Sequence, residues 1–303
     1  MSKKMRPKRF LRGRKTSAPK IFSSKSSPTS LAPSMKTQTE LKKFASLLAD
    51  AAGSLIRAGY DATRSGRVKM DGSPVTAVDS AVEDHLREMI MDACPAHGII
   101  GEEREAHLPE SEFVWVIDPI DGTLPFLAGF PVFGTLIALA KEGIPILGIA
   151  DFPMTAQRWT GARGQPTEHN GTSVSTRPCN AVENALMATS SPDFYSQADL
   201  PALDRMRAAS RWNIYGGSCL AYAQLASGRI DIGMDAGFDV CDYLALVPII
   251  EGAGGLITDW EGGGLTIHSG GRFIAAGDAK VHAQSLKIIS GKGKQPQAKR
   301  DAK

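Results

Sequence analysis

Apolar residues recur at three- and four-residue steps along residues 37–58, at Leu41, Phe44, Leu47, Leu48, Ala51 and Leu55. That spacing predicts a long amphipathic helix, with Gly59 as its stop. Residues 68–70 followed by Asp71-Gly72-Ser73-Pro74 read as a short strand and turn. A second helix is predicted over 76–93, with Val82, Leu86, Met89 and Ile90 as its buried stripe. The period then changes. Residues 113–117 form an apolar and aromatic run with no helical spacing, the signature of a buried strand. Residues 131–140 and 144–151 read as paired strands joined by Lys141-Glu142-Gly143. Residues 152–161 continue as a strand, and 167–172 form a turn.

Around 174–184 the composition turns polar, and a domain boundary is expected there. Beyond it, strands at 185–189, 211–215 and 230–235 alternate with helices at 200–209 and 219–227. A segment at 238–242 leads into a helix reaching about residue 252. Strands at 254–258 and 273–276 and a helix at 281–289 close the pattern. The expected organisation is a basic tail (1–36), an N-terminal α+β half (37–180), a C-terminal α/β half (181–289) and a second tail (290–303). Such alternation predicts a layered α/β architecture.

With 42% hydrophobic and 22% charged residues, the 303-residue chain has the composition of a globular protein. No apolar run reaches the roughly 18–20 residues that span a bilayer, so no membrane partner is expected. The four cysteines, Cys94, Cys179, Cys219 and Cys241, include no CxxC pair. This argues against a thiolate zinc site or disulfide framework and predicts a reducing, cytoplasmic setting. Charge is unevenly placed. Residues 1–36 hold 11 Lys/Arg and no acid, whereas residues 37–286 hold 18 Lys/Arg against 31 Asp/Glu. The first tail reads as a solvated disordered segment, an organelle transit peptide or a polyanion-binding arm. Basic tails on an acidic body do not make a nucleic-acid enzyme, and no nucleic-acid partner is expected. An acidic body that binds a phosphate needs cations in its site.

The candidate chemistry centres on Asp118-Pro119-Ile120-Asp121-Gly122-Thr123 at the tip of the 113–117 strand. Two carboxylates three residues apart suit a hard cation such as Mg²⁺. Gly122 and Thr123 then offer backbone N–H groups where a helix begins, a place for a phosphate. The same run is also open to a plainer reading, an Asp-rich turn that caps a helix. Asp79 favours a helix dipole or serves as a carboxylate near the site. Glu102 and Glu103, after Gly101, belong to a solvated loop or reach the same strand ends. Asp242 either N-caps an apolar helix or joins Asp235 in a shared cleft.

Taken together, Gly101-Glu102-Glu103, the strand-borne DPIDGT and the Asp-initiated helix before Glu251-Gly252-Ala253-Gly254-Gly255 resemble the inositol monophosphatase superfamily, over about residues 40–289. The resemblance implies an αβαβα sandwich of the metal-dependent sugar phosphatase type and two or three Mg²⁺ ions. It implies that Glu102, Asp118 and the Ile120 carbonyl hold one ion, and Asp118, Asp121 and Asp242 a second. A third would lie near Glu102, while Thr123 and Asp79 would position the attacking water. Gly122 and Thr123 would bind the phosphate. A homodimer is a further family expectation. Water attack on a small phosphorylated metabolite is expected, since the P-loop pattern GxxxxGK[ST] is absent and no activated Cys or Ser is evident.

Within the superfamily, Gln157-Arg158-Trp159, Tyr215-Gly216-Gly217, Ala221-Tyr222 and residues 246–262 resemble the histidinol-phosphate phosphatases. That branch implies a role in histidine biosynthesis; the alternative is an inositol or related sugar phosphate as substrate, and a catalytically weak metal-binding relative is a third reading. The chain departs from the branch at Gly217-Ser218-Cys219-Leu220, where the branch tends to read Gly-Asp-Cys-Tyr, and at Leu124-Pro125. Glu103, Ser218, Asp235 and Asp239 are the expected substrate contacts.

Overall fold

The computed structural model describes residues 37–60, 66–68 and 74–292. Both basic tails, apart from residues 290–292, and most of the predicted strand and turn at 68–74 lie outside them. Helix α1 (Gln38–Tyr60) is followed by a short antiparallel pair, β1 (Arg67–Val68) and β2 (Pro74–Val75), and by α2 (Ala77–Ala93). Next come β3 (Gly98–Gly101), β4 (Phe113–Asp121), α3 (Thr123–Ala128), β5 (Gly134–Lys141), β6 (Ile144–Phe152), β7 (Gln157–Ala162), β8 (Glu168–His169) and β9 (Thr172–Ser173). The remaining elements are β10 (Leu186–Thr189), α4 (Leu200–Ala209), β11 (Trp212–Tyr215), α5 (Ser218–Ala226), β12 (Ile232–Asp235), α6 (Val240–Tyr243), α7 (Leu246–Gly252), β13 (Leu256–Asp259), β14 (Phe273–Ala276) and α8 (Ala279–Ile289).

Strands β3 to β9 form a seven-stranded sheet in sequence order, parallel at β3–β4 and antiparallel beyond. A five-stranded sheet has the order β11-β10-β12-β14-β13, with its first three strands parallel. Helices α1 and α2 cover one face of the larger sheet, and α5 to α7 fill the layer between the sheets. Helices α4 and α8 close the outer face of the smaller sheet. The αβαβα sandwich is therefore borne out. It also explains why residues 113–117 read as one apolar run. Trp115 and Ile117 pack under α1 and α2, whereas Val114 and Val116 point into the middle layer.

Several local expectations are corrected. Helix α1 buries Leu41, Phe44, Ala45, Leu48, Ala49, Ala52 and Ile56, while Leu47 and Leu55 face outward. The small alanines, not those two leucines, complete its stripe, because α1 lies close against α2 and the sheet. Gly59 does not stop the helix. It lies inside the last turn, where a Cβ would approach Val78 Cγ2 to 2.5 Å, so it serves helix-to-helix contact. The strand expected over 152–161 is interrupted by a turn and begins at Gln157, and the predicted turn at 167–172 carries the short hairpin β8–β9.

Glycines also set the middle layer. At Gly161 on β7 a Cβ would meet the Pro248 carbonyl oxygen at 2.3 Å and Ile249 N at 2.4 Å. At Gly148 on β6 it would meet the Ala245 carbonyl oxygen at 2.0 Å. Glycine within a strand marks such close backbone approach. These contacts seat α7, and with it the preceding α6, flush against the large sheet. Gly161→Ala is therefore expected to destabilise the protein by about 1–3 kcal/mol, because α7 backbone, not a pliable side chain, must yield. Urea unfolding checks this; an unchanged midpoint would contradict the packing account.

Candidate metal centre

The centre is built on a fault in β4. Asp118 pairs with Leu136 and Asp121 with Gly134, so three steps along β4 match two along β5. In a regular strand, side chains three apart point to opposite faces. The extra residue of the bulge restores the parity, and Asp118 and Asp121 emerge together. Pro119 suits the fault because it has no N–H to place in a ladder. Its carbonyl is taken by Thr135 Oγ1 at 2.9 Å, and Ile120 N–H donates to Asp118 Oδ1 at 3.0 Å.

Gly122 ends the strand at φ +88°, a left-handed conformation suited to glycine, and its missing side chain admits Ser218. A Cβ there would lie 2.6 Å from Ser218 Oγ. Ser218 opens α5, and the next N–H, that of Cys219, donates to Asp121 Oδ2 at 2.6 Å. The amide at this helix start thus faces a carboxylate at the end of β4 in the larger sheet. Asp242 arrives from α6. It is not the helix N-cap that its position before an apolar run suggests. Asp239 is the N-cap, and Asp242 stands three residues later, with its Oδ2 accepting Asp239 N–H at 2.6 Å.

Carboxylate oxygens of Asp118, Asp121 and Asp242 all lie within 4.8 Å of one another. Asp118 Oδ2 is buried and accepts no hydrogen bond among the described residues. Glu102, just past β3, stands at the margin of this cluster, and its charge acts on all three aspartates. Asp118 is pushed well above the ordinary carboxylate range by burial first, then by the charges of Glu102, Asp121 and Asp242. Burial raises Asp121 to about 6, even with the Cys219 contacts pulling it down. Asp242 is raised by burial, Asp121 and Glu102. Three acids crowded in a desolvated recess, one with an orphaned oxygen, fit a hard divalent cation.

Asp79 caps α2 and also reaches toward Thr123. Its Oδ2 accepts Thr76 N–H at 3.0 Å and the Thr76 hydroxyl, forming a capping box at the start of α2. Its Oδ1 faces Thr123 Oγ1 at 3.5 Å, and that hydroxyl is also 3.4 Å from the Ile120 carbonyl oxygen. Burial raises the Asp79 pKa.

The expected substrate contacts separate. Ser218 sits against Gly122, and Asp239 is exposed beside Asp242. Glu103 lies next to Glu102, with its own N–H donated to Glu83 Oε2 at 2.6 Å. Asp235 is corrected. It is fully buried, and its oxygens accept Thr189 Oγ1, Ser190 N–H, Ser190 Oγ and Tyr222 OH at 2.7–3.1 Å. It ties β10 and α5 to β12 and presents no carboxylate to a ligand. The residue missed in the sequence is Glu83, buried against Gly101. Its signal is its place on the inward stripe of α2, next to Val82 and one turn beyond Asp79.

Residues 37–292 match the model of the inositol monophosphatase family. The chain is 42% identical over 269 residues to the chloroplastic bifunctional phosphatase IMPL2 of Arabidopsis thaliana, covering 85% of this chain and 78% of that one. It is 33% identical over 220 residues to a histidinol-phosphatase of Chlorobaculum parvum, covering 71% and 84%. An inositol monophosphatase structure from Zymomonas mobilis superposes with a TM-score of 0.78 at 38% identity, covering 84% and 99%.

The raised carboxylates predict a pH signature. In the metal-free protein these groups hold protons that the unfolded chain has already released. Their contribution to stability is thus present at low pH and lost as pH rises through about 6, the value for Asp121. A cation needs the deprotonated forms, so its stabilisation grows over the same interval. The melting-temperature difference between Mg²⁺ and EDTA is expected to be small at pH 5 and largest above pH 7. Equal shifts at both pH values would contradict the assignment.

Proposed function

The chain belongs to the inositol monophosphatase family, and on that premise we propose that it is a Mg²⁺-dependent hydrolase of histidinol phosphate. The observation that carries the hydrolytic reading is the orphaned Asp118 Oδ2 among three carboxylates within 4.8 Å. We assign the ions to Glu102, Asp118, Asp121, Asp242 and the Ile120 carbonyl. When bound, Mg²⁺ supplies charge to offset the phosphate and lowers the pKa of a coordinated water.

The chain's own groups divide the remaining work. Thr123 Oγ1, between the Ile120 carbonyl and Asp79, orients the attacking water, and Asp79 Oδ1 receives the proton that Thr123 passes on. The N–H groups of Gly122 and Thr123 take phosphate oxygens. Attack is in line with the leaving alkoxide. We assign Ser218, packed against Gly122, to contact with the ester's organic part. Asp239, exposed beside Asp242, offers negative charge that suits an ammonium or imidazolium group, and Glu103, next to Glu102, is assigned to the same task. The exposed charge of Asp239, together with likeness to a histidinol-phosphatase, supports histidinol phosphate. The likeness to an inositol monophosphatase at 38% identity favours the second reading, an inositol or sugar phosphate. Four free, buried cysteines support a reducing, cytoplasmic location.

Phosphate release is expected from histidinol phosphate in preference to inositol 1-phosphate, fructose 1,6-bisphosphate and adenosine bisphosphate, and only with Mg²⁺. Release from inositol 1-phosphate alone would move the assignment to the second reading; none from any substrate would sink both. Asp118→Asn should lower kcat/KM by more than about a hundredfold. The same change removes a crowded charge, so the metal-free protein should melt no lower than the wild type. Asp239→Asn should raise KM for histidinol phosphate and leave that for inositol 1-phosphate nearly unchanged; equal effects would remove Asp239 from recognition of the cation.

A further inference from the structure

Helix α2 grips the loop that carries Glu102 at three points. Glu83 Oε2 accepts Glu103 N–H at 2.6 Å, and Arg87 Nη2 donates to the Glu105 carbonyl at 2.7 Å. Arg104 forms a two-pronged pair with Asp84, both contacts at 2.8 Å. Glu83 is completely buried, and its Oε1 accepts Arg87 Nη1 at 3.2 Å. On the other side of Glu102, Gly101 lies so close that a Cβ would stand 2.1 Å from Glu83 Oε1. Both neighbours of Glu102 therefore rest on one carboxylate.

That carboxylate is poorly explained as a stabilising core group. An ion pair with so little solvent recovers little more than its desolvation cost, and an apolar side chain of similar volume often does as well. A fixed acceptor does supply geometry. Glu83 lies one helical turn from Asp79, so the same rigid element sets the place of Asp79 against Thr123 and of Glu102 against Asp118. The direct ligands are then held from behind by a group that touches neither ion nor substrate.

We propose that Glu83 is a positioning residue that fixes Glu102 toward the aspartate cluster and thereby sets the affinity of the centre for divalent cations. This rests on the metal-site reading above. It acts through the Glu103 N–H, so the acceptor oxygen matters more than the negative charge.

Mn²⁺ binding without substrate, followed by electron paramagnetic resonance on the full-length protein, tests it. Glu102→Gln measures what the ligand itself contributes. Glu83→Leu should weaken binding by about 10–100-fold. Glu83→Gln keeps an acceptor for Glu103 N–H and should restore most of that loss. In the Glu102→Gln background, Glu83→Leu should cause no further loss. Wild-type affinity in Glu83→Leu, or losses that simply add, would overturn the proposal while leaving the metal site intact. Undiminished binding in Glu102→Gln would instead overturn the metal-site reading, and the proposal with it. If Glu83→Leu does not fold, Gly101→Ala disturbs the same contact from the other side. Its loss of affinity must likewise vanish in the Glu102→Gln background, and wild-type affinity there counts against the proposal.

Discussion

Like-charge repulsion among Asp118, Asp121 and Asp242 is the constraint around which the rest is arranged. Two unit charges at the 4.8 Å range of these oxygens repel by roughly 3–4 kcal/mol in a partly buried setting. Burial adds to the cost and raises the affinity of the carboxyls for protons, with which a cation competes. Among the described residues, no Lys or Arg offsets the charge of these three aspartates. The fold leaves Asp118 Oδ2 without a donor and satisfies Asp121 with the Cys219 amide and Asp242 with the Asp239 amide. Amides orient the carboxylates without neutralising them, so the cluster keeps its appetite for a cation.

Holding such groups together requires stiff supports from separate parts of the chain. The β4 bulge turns two aspartates to one side. Helix α5 reaches across from the smaller sheet's layer to meet Asp121, and α6 delivers Asp242. The seating of α7 on Gly148 and Gly161 fixes the approach of α6 to β4. Helix α2 adds Asp79 and the grip on the Glu102 loop. The middle layer of the sandwich is thus both the main core and the frame of the centre. A shift in its packing and a shift in the ligand geometry are the same event.

Much of this was legible in the sequence, but unevenly. The strand and helix order came from hydrophobic period, and β14 and α4 coincide with their expected ranges. The outward Leu47 and Leu55 show the limit of that reading. Leucine count marked the stripe, while close approach to α2 selected the alanines. Gly59 looked like a stop because glycine ends helices in isolation, yet here its small size lets two helices touch. Asp242 does stand beside Asp118 and Asp121, but the cap belongs to Asp239, since the helix begins three residues earlier than the apolar run suggested. Asp235 looked equally available to a ligand. Four donors from β10 and α5 closed it off, and no local pattern announces such long-range partners.

The sequence by itself determined the chemical inventory: acids at a strand tip, a glycine able to turn at φ +88°, a hydroxyl next to it, and alternating elements able to build layers. These follow from residue type and short-range spacing, which the chain carries locally. Only the tertiary structure decided which acids share a site, because that depended on the parity change at the β4 bulge and on contacts about a hundred residues apart. It also decided that Glu83 stands behind Glu102. A carboxylate on a buried helical stripe is ambiguous until the partner that it faces is in place, and that partner is supplied by folding.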